Sequence, residues 1–135
     1  MDALANLALG LQVAVSPANL LYCLIGVLLG TLIGVLPGIG SSATIAMLLP
    51  ITFSLDPTSA LIMLAGIYYG SQYGGSIAAI LINLPGEAAA TITCPDGHHL
   101  AQNGRAGLAL GIAAAASFIG GTIGVGVIAL ISSPL

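Results

Sequence analysis

A long apolar run in the first third of the chain is interrupted by proline and glycine. Residues 17–36 carry no charge, and their length matches the roughly 20 residues that an α-helix needs to cross a bilayer. The run ends in Pro37-Gly38-Ile39-Gly40, which breaks a helix. Irregular backbone at membrane depth is tolerated only where protein or a wet cavity surrounds it. The interruption therefore constrains the fold and predicts a binding site.

Composition places the chain in a membrane. Only 4% of the 135 residues are charged, against roughly 25% in soluble domains. We therefore predict an all-α fold, a polytopic bundle of membrane helices with interrupted or re-entrant members. Arg105 is the single basic residue, which argues against nucleic acid as a partner and leaves the positive-inside rule without a signal. Cys94, His98 and His99 are too few for a structural zinc site, so we predict no metal.

Local signals predict the order of the helices. Residues 1–16 suit a short interfacial helix, with a frayed terminus as the alternative. Ser16-Pro17 and Asp56-Pro57 each combine an N-cap residue with proline in the first turn. Ser41 and Ser42 can cap a helix that is too short to span. The transmembrane domain covers 17–135, with helices at about 17–36, 41–55, 57–73, 75–84 and 105–132 and a polar loop at 85–104.

Small residues recur at intervals of four and predict close packing between helices. Gly26, Gly30 and Gly34 share one helix face, where another helix should approach. Residues 70–76 interrupt a second apolar stretch, which gives either a second helix break or one continuous helix with a small-residue face. The same spacing occurs at Gly107/Gly111 and Gly120/Gly124.

The first break offers hydrogen-bond donors to an anion without using basic side chains. A helix N-terminus presents unpaired N–H groups and a partial positive charge, and glycines let a ligand approach the backbone. Serine and threonine hydroxyls add donors, which favours an anion site. The freed carbonyls could also hold Na⁺, and in the alternative reading the glycines serve packing alone. The predicted substrate-binding residues are Pro37, Gly38, Ile39, Gly40, Ser41, Ser42, Thr44, Ser71, Gln72, Tyr73, Gly74, Gly75 and Ser76.

Two further segments bear on this site. Residues 71–76 either complete it from across the bundle or form an ordinary helix contact near the membrane interface. Asn83 and Glu87 flank a Pro85-Gly86 turn, and Glu87 is either a gating or coupling group or a solvated loop charge. The sequence offers no set of nucleophile, base and orienting residue, so we predict neither catalytic residues nor a cofactor.

Five sequence stretches, taken together, are specific enough to indicate a family. They are G-T-L-I-G-V-L-P-G-I-G (30–40), A-M-L-L-P-I-T-F (46–53), Y-Y-G-S-Q-Y-G-G-S-I-A-A-I-L (68–81), N-L-P-G-E (83–87) and D-G-H-H-L-A-Q-N-G-R-A-G (96–107). Together they resemble the large, TctA-type membrane subunit of tripartite tricarboxylate transporters. The resemblance covers nearly the whole chain, from about Asn19 onward.

The resemblance implies a multi-pass secondary transporter of bacterial inner membranes that imports citrate-like tri- or dicarboxylates. It implies ion-gradient coupling, with Na⁺ or H⁺ left open as the ion. The implied partners are a carboxylate substrate, a periplasmic solute-binding protein, a small membrane subunit and the lipid bilayer. It also implies that this chain is an incomplete, N-terminal piece, one half of a repeat-built protein.

A second function fits the same residues. In a non-transporting structural or assembly subunit, the glycines would only pack helices and side chains would fill the Pro37 loop. Gly38→Ala would then change stability but not transport. An intramembrane enzyme would need a catalytic set that this sequence lacks.

Overall fold

The computed structural model describes residues 2–132, with side chains from Leu4 onward, and every regular element in that range is helical. The all-α prediction is therefore confirmed. Met1 and residues 133–135, which belong to the predicted segments 1–16 and 17–135, lie outside the described range. The α-helices are α1 (Asp2–Ala14), α2 (Pro17–Gly34), α3 (Gly40–Thr52), α4 (Pro57–Ile82) and α5 (Ala106–Ser132).

Glycines bring α2 and α4 into direct backbone contact, as the four-residue spacing predicted. A Cβ atom placed on any of six glycines would lie less than 3.0 Å from the backbone of the other helix. Real Cβ atoms do not approach that closely, so only glycine fits at these positions. The six are Gly26, Gly30 and Gly34 on α2 and Gly66, Gly70 and Gly74 on α4.

The order of these contacts gives the direction of the helices. Gly26 faces Met63 and Gly34 faces Ser71, so both sequence numbers rise together along the contact. Helices α2 and α4 therefore run parallel. Two parallel helices that are joined through one further helix require that helix to run in the opposite direction, and α3 does so.

Helix α3 runs back along α4 in the opposite direction. Its first turn lies beside the middle of α4, where Gln72 reaches Ser41, and its end connects to Pro57 through residues 53–56. Its 13 residues correspond to about 20 Å. Gln72 precedes the end of α4 by ten residues, so the break between α2 and α3 lies roughly 15 Å below that end. The buried side chains of Leu48, Met63 and Ile67 form the core between α3 and α4.

Of the two alternatives for residues 70–76, the structure shows one continuous helix with a small-residue face. Helix α4 runs from Pro57 to Ile82, so the separate helices at 57–73 and 75–84 are wrong. A glycine inside a helix costs about 1 kcal/mol relative to alanine. Gly70 and Gly74 nevertheless stay helical, because each packs against the backbone of α2. Tertiary contact thus overrides the local propensity.

The predicted polar loop at 85–104 is largely helical. It winds into a 3₁₀ turn at Ala88–Ile92 and π-helical turns at Cys94–His98 and Ala101–Arg105. Three consecutive alanines at 88–90 favour helix. Within the last of these turns, Asn103 and Gly104 depart from helical geometry, and Gly104, with a φ of 75°, kinks the chain just before α5.

Several predicted helix ends shift by a few residues. Helix α2 stops at Gly34 rather than about 36, since proline at 37 disfavours helix in the residue before it. Helix α3 stops at Thr52 rather than about 55, two residues after the internal Pro50. Asp56 caps α4 by accepting from the backbone N–H of Ser59, but Ser16 precedes α2 without a side-chain capping bond.

Two helical segments are long and apolar enough to cross a membrane, Pro17–Gly34 and Cys94–Ser132, which is weak support for a membrane protein. Helix α5 buries Ala109 alone within the described residues. A Cβ atom on any glycine of the two predicted α5 pairs would have no neighbour within 4 Å, so these pairs contact no helix in residues 2–132. The polytopic, repeat-built bundle stays a prediction.

Candidate functional site

The break between α2 and α3 is present where the sequence predicted it. Gly38 and Gly40 have φ angles of 86° and 71°, in the left-handed region that favours glycine. Both glycines have open space where a Cβ atom would stand. Irregular hydrogen bonds replace the helical pattern, including 3.4 Å from the Ile39 N–H to the Leu36 carbonyl. The backbone at the break is therefore accessible.

The hydroxyl groups of the first turn of α3 have different roles. Ile39 occupies the N-cap position, so the prediction that Ser41 and Ser42 cap this helix is wrong. Thr44 is fully buried and donates to the Gly40 carbonyl at 2.8 Å. Ser41 is 3% exposed and also bonds internally. Ser42 is exposed, and together with the first backbone N–H groups of α3 it remains available to a ligand.

Glu87 contacts this break although it lies 46 positions after Ser41 in the sequence. Ser41 Oγ donates to Glu87 Oε1 at 2.8 Å, and Gln72 Nε2 donates to Ser41 Oγ at 3.5 Å. Glu87 Oε2 is buried and has no hydrogen-bond partner. Burial of a polar atom without a partner costs free energy, so this oxygen needs an explanation. Glu87 is not a solvated loop charge.

The chain reaches this position by turning back after α4. Asn83 ends the helix in the left-handed conformation, with a φ of 58°, and its side chain is exposed. The N–H of Gly86 then donates to the Gly75 carbonyl at 3.4 Å, so the segment descends beside the last turns of α4. A Cβ atom on Gly86 would lie 2.7 Å from the Gly34 carbonyl oxygen at the end of α2. Asn83 is thus a helix terminator at some distance from the break.

Within residues 71–76 of α4, one side chain reaches the break, that of Gln72. Ser71 and Ser76 donate to carbonyls of their own helix, and Tyr73 donates to the Leu110 carbonyl of α5 at 3.3 Å. Gly74 packs on α2 and Gly75 faces Gly86 and Glu87. These residues therefore support the site by packing, apart from Gln72.

The two histidines hold the turns after α4. His98 Nδ1 donates to the Ile80 carbonyl at 3.0 Å, and His99 contacts Asn103 at 3.3 Å. Residues 4–132 contain no group of three His, Cys, Asp or Glu side chains placed to hold a metal ion.

Three clefts lie elsewhere in the described part of the chain. The first, of about 370 Å³, lies between Tyr69 and α5, and the second, of about 850 Å³, between α1 and α5. The third, of about 300 Å³, lies between Ser76 and Asp96. None of these three is lined by residues 37–42. At the break itself, Gly38 and Ser42 are exposed.

Sequence reasoning missed the contact between Ser41 and Glu87, which are 46 positions apart. The signal that could have found it is Asn83-Leu84-Pro85-Gly86, a left-handed terminator followed by a turn that returns the chain. It also missed the buried pair of Ser59 and Asn19, joined at 2.6 Å.

Comparisons with known proteins agree with the predicted family. The profile described as "Tripartite tricarboxylate transporter TctA family" matches residues 20–135. A protein of Agrobacterium vitis, the "Uncharacterized 52.8 kDa protein in TAR-I ttuC' 3'region", is 57% identical over 135 residues, which are 100% of this chain and 27% of that protein. This chain thus spans about a quarter of that relative's length. No solved structure matches. The match over most of the chain shows that it belongs to the tripartite tricarboxylate transporter TctA family.

Proposed function

We propose that this chain is part of the permease subunit of a secondary transporter that imports citrate-like tri- or dicarboxylates across a bacterial inner membrane. An ion gradient, of Na⁺ or H⁺, drives the import. A periplasmic solute-binding protein delivers the substrate, and a small membrane subunit accompanies this one. Membership of the TctA family supports the transporter class. The substrate class is what membership of that family implies, and the site is inferred from the geometry of the break.

The observation that carries the proposal is the open N-terminus of α3. Gly38 and Gly40 hold the left-handed conformations that expose the first N–H groups, with free space beside both. A helix N-terminus favours a negative charge by its unpaired N–H groups and its dipole. Ser42 adds an exposed hydroxyl. A carboxylate of the substrate binds here, without a basic side chain.

The interlocked glycines of α2 and α4 favour a second candidate, a structural subunit in which the small residues only pack helices. The two candidates differ at Gly38 and Gly40, which pack against nothing. A bulky side chain there obstructs a ligand but removes no helix contact.

The test is carboxylate uptake by the complete transporter. The full-length subunit, reconstituted with its small subunit and binding protein, is assayed with labelled citrate and dicarboxylates, with and without a Na⁺ gradient. We expect Gly38→Leu and Gly40→Leu to lower the initial rate of carboxylate uptake roughly tenfold or more, because a bulky side chain obstructs the ligand. A tenfold loss of affinity corresponds to about 1.4 kcal/mol. Membrane insertion should persist.

Gly107→Leu is the matched control, because Gly107 also has open space but lies in a regular helix. Gly38→Asn adds a side chain with little backbone strain, because asparagine tolerates the left-handed region. A loss of uptake in this variant is therefore caused by the bulk of the side chain and not by strain. Wild-type uptake by Gly38→Leu and Gly40→Leu would contradict the carboxylate site and favour the structural subunit.

A further inference from the structure

We propose that Glu87 and Ser41, positioned by Gln72, form a binding site for a monovalent alkali cation. The inference starts from Glu87 Oε2, a buried carboxylate oxygen without a hydrogen-bond partner in the described chain. The other oxygen, Oε1, accepts from Ser41 at 2.8 Å, so the side chain is held in place. A fixed carboxylate with one unsatisfied buried oxygen requires a partner, and a cation supplies one.

The chemistry of the surrounding atoms suits a hard cation. A carboxylate from the segment after α4, a hydroxyl from α3 and an amide from α4 converge, with Ser41 as the common contact. Gln72 turns its amide nitrogen, a donor, to Ser41 Oγ, so it positions the hydroxyl rather than supplying an oxygen ligand. Carboxylate oxygens are ligands that hard metal ions prefer, and the hydroxyl oxygen of Ser41 lies beside this one.

The charge of the cluster selects a monovalent ion. Glu87 is its single carboxylate, so one positive charge balances it, whereas a divalent ion would leave an excess charge in an apolar surrounding. Arg105, the single Lys or Arg residue of the sequence, is exposed, and the Glu87 carboxylate bonds to Ser41 instead. No side chain among residues 4–132 therefore neutralises this carboxylate.

The end of α2 adds negative potential at the same place. The Gly34 carbonyl lies against Gly86, the residue before Glu87, at the C-terminus of α2. Carbonyls at a helix C-terminus carry partial negative charge and attract cations. Interrupted helices of membrane transporters use such C-terminal carbonyls to hold coupling ions and the facing N-termini to hold anions.

The inference rests on the proposed carboxylate site and deepens it. Glu87 contacts the first turn of α3, the same turn that would receive the substrate carboxylate. Two like charges close together repel each other, and a cation at Glu87 removes that repulsion. Occupation of the cation site would therefore raise the affinity for the carboxylate, and by reciprocity the carboxylate would raise the affinity for the cation.

The test measures cation binding without any carboxylate. The thermal unfolding midpoint of the purified full-length subunit is recorded while NaCl replaces N-methyl-D-glucamine chloride at constant ionic strength. We expect a saturable rise on the order of 5 °C when Na⁺ reaches about 100 times its dissociation constant. Glu87→Gln, which keeps the shape and removes the charge, should abolish the rise. Asp96→Asn is the matched control, because Asp96 is an exposed carboxylate of the same segment and its loss should leave the rise intact.

Three results would overturn the cation site. They are equal midpoints of the wild type in Na⁺ and in N-methyl-D-glucamine, a full Na⁺ response in Glu87→Gln, and an unchanged half-saturating Na⁺ concentration in Ser41→Ala. The Ser41→Ala measurement keeps the test decisive if Glu87→Gln does not fold. Carboxylate uptake without a Na⁺ response overturns this site alone, whereas a Na⁺ response in a protein that takes up no carboxylate overturns the proposed function alone.

Discussion

Ser59 belongs to a cluster that joins the end of α1 to the beginnings of α2 and α4. Its hydroxyl donates to Asn19 Oδ1 on α2 at 2.6 Å, and its backbone N–H donates to the Asp56 carboxylate at 3.2 Å. Asn19 in turn donates to the Val13 carbonyl on α1 at 2.8 Å. Ser59 and Asn19 are both buried, so each satisfies a polar group that would otherwise be costly. This cluster fixes the end of the molecule opposite to the break.

The Asp56 cap makes stability depend on pH in the acid range. The nearby hydroxyl of Ser59 and its backbone N–H, which donates to the carboxylate, lower the pKa of Asp56 below its usual 3.8. A lowered carboxyl pKa adds stability above the unfolded pKa, and that stability is lost as the pH falls through the folded pKa. We expect the unfolding midpoint of the wild type to exceed that of Asp56→Asn at neutral pH by a margin that shrinks once the pH drops below about 4.

Asparagine is the fitting replacement because it caps helices without titrating in this range. All other carboxylates are shared by the two proteins, so the difference between their midpoints isolates Asp56. A difference that stays constant from neutral pH down to about pH 3 would contradict the role of the ionised cap.

At the scale of elements, the contact between α2 and α4 decides the packing. A Cβ atom on Gly30 would press on the backbone of Ile67, which cannot give way as a flexible side chain could. Overpacking of this kind costs roughly 1–3 kcal/mol or more. We expect Gly30→Ala to lower the unfolding midpoint of the full-length subunit by several degrees and to reduce its yield.

Gly111→Ala is the control for this change. Gly111 is also a helical glycine, but a Cβ atom there meets nothing within 4 Å, and alanine favours helix by about 1 kcal/mol over glycine. The unfolding midpoint of Gly111→Ala should equal that of the wild type or exceed it. Equal destabilisation by both substitutions would mean that the α2–α4 contact is not the cause.

The same contact explains where sequence reasoning succeeded and failed for the elements. The shared face of Gly26, Gly30 and Gly34 follows from spacing alone, so the close approach of a partner helix was predictable. The continuity of α4 was not predictable, because a run containing Gly70, Gly74 and Gly75 indicates a helix break unless the backbone that packs against it is known. Proline and left-handed glycine at 37–40 break the chain on local grounds, and that break was predictable.

At the scale of the whole molecule, α4 runs parallel to α2, one of the two segments long and apolar enough to cross a membrane, and we predict that α4 crosses the membrane with it. Thr58, at the start of α4, and Asn83, at its end, are both exposed. In a background lacking Cys23 and Cys94, we expect cysteines at these two positions to react with a membrane-impermeant maleimide from opposite sides of sealed vesicles. A cysteine at Ser54, in the turn before α4, should behave like the one at Thr58.

Labelling of Thr58→Cys and Asn83→Cys from the same side would contradict α4 as a span. Labelling of Ser54→Cys together with Asn83→Cys would contradict the return of α3 instead. The two results are distinguishable because Ser54 belongs to the turn that follows α3.

The candidate site shows how much of the whole molecule could be predicted from the sequence alone. Helical class follows from apolar content, and the family follows from the five motifs between residues 30 and 107 taken together. The meeting of Glu87 with Ser41 depends on the descent of residues 83–87 beside α4, and no local pattern specifies that distance. The sequence thus predicted the residue types of the site but not their partners.

The interlocked backbones of α2 and α4 have a mechanical consequence. Sliding one helix along the other would bring larger side chains against carbonyls that only glycine now meets. The pair should therefore behave as a single stiff rod during any transport cycle. Motion would then fall to the left-handed positions that follow the two helices, Gly38 after α2 and Asn83 after α4.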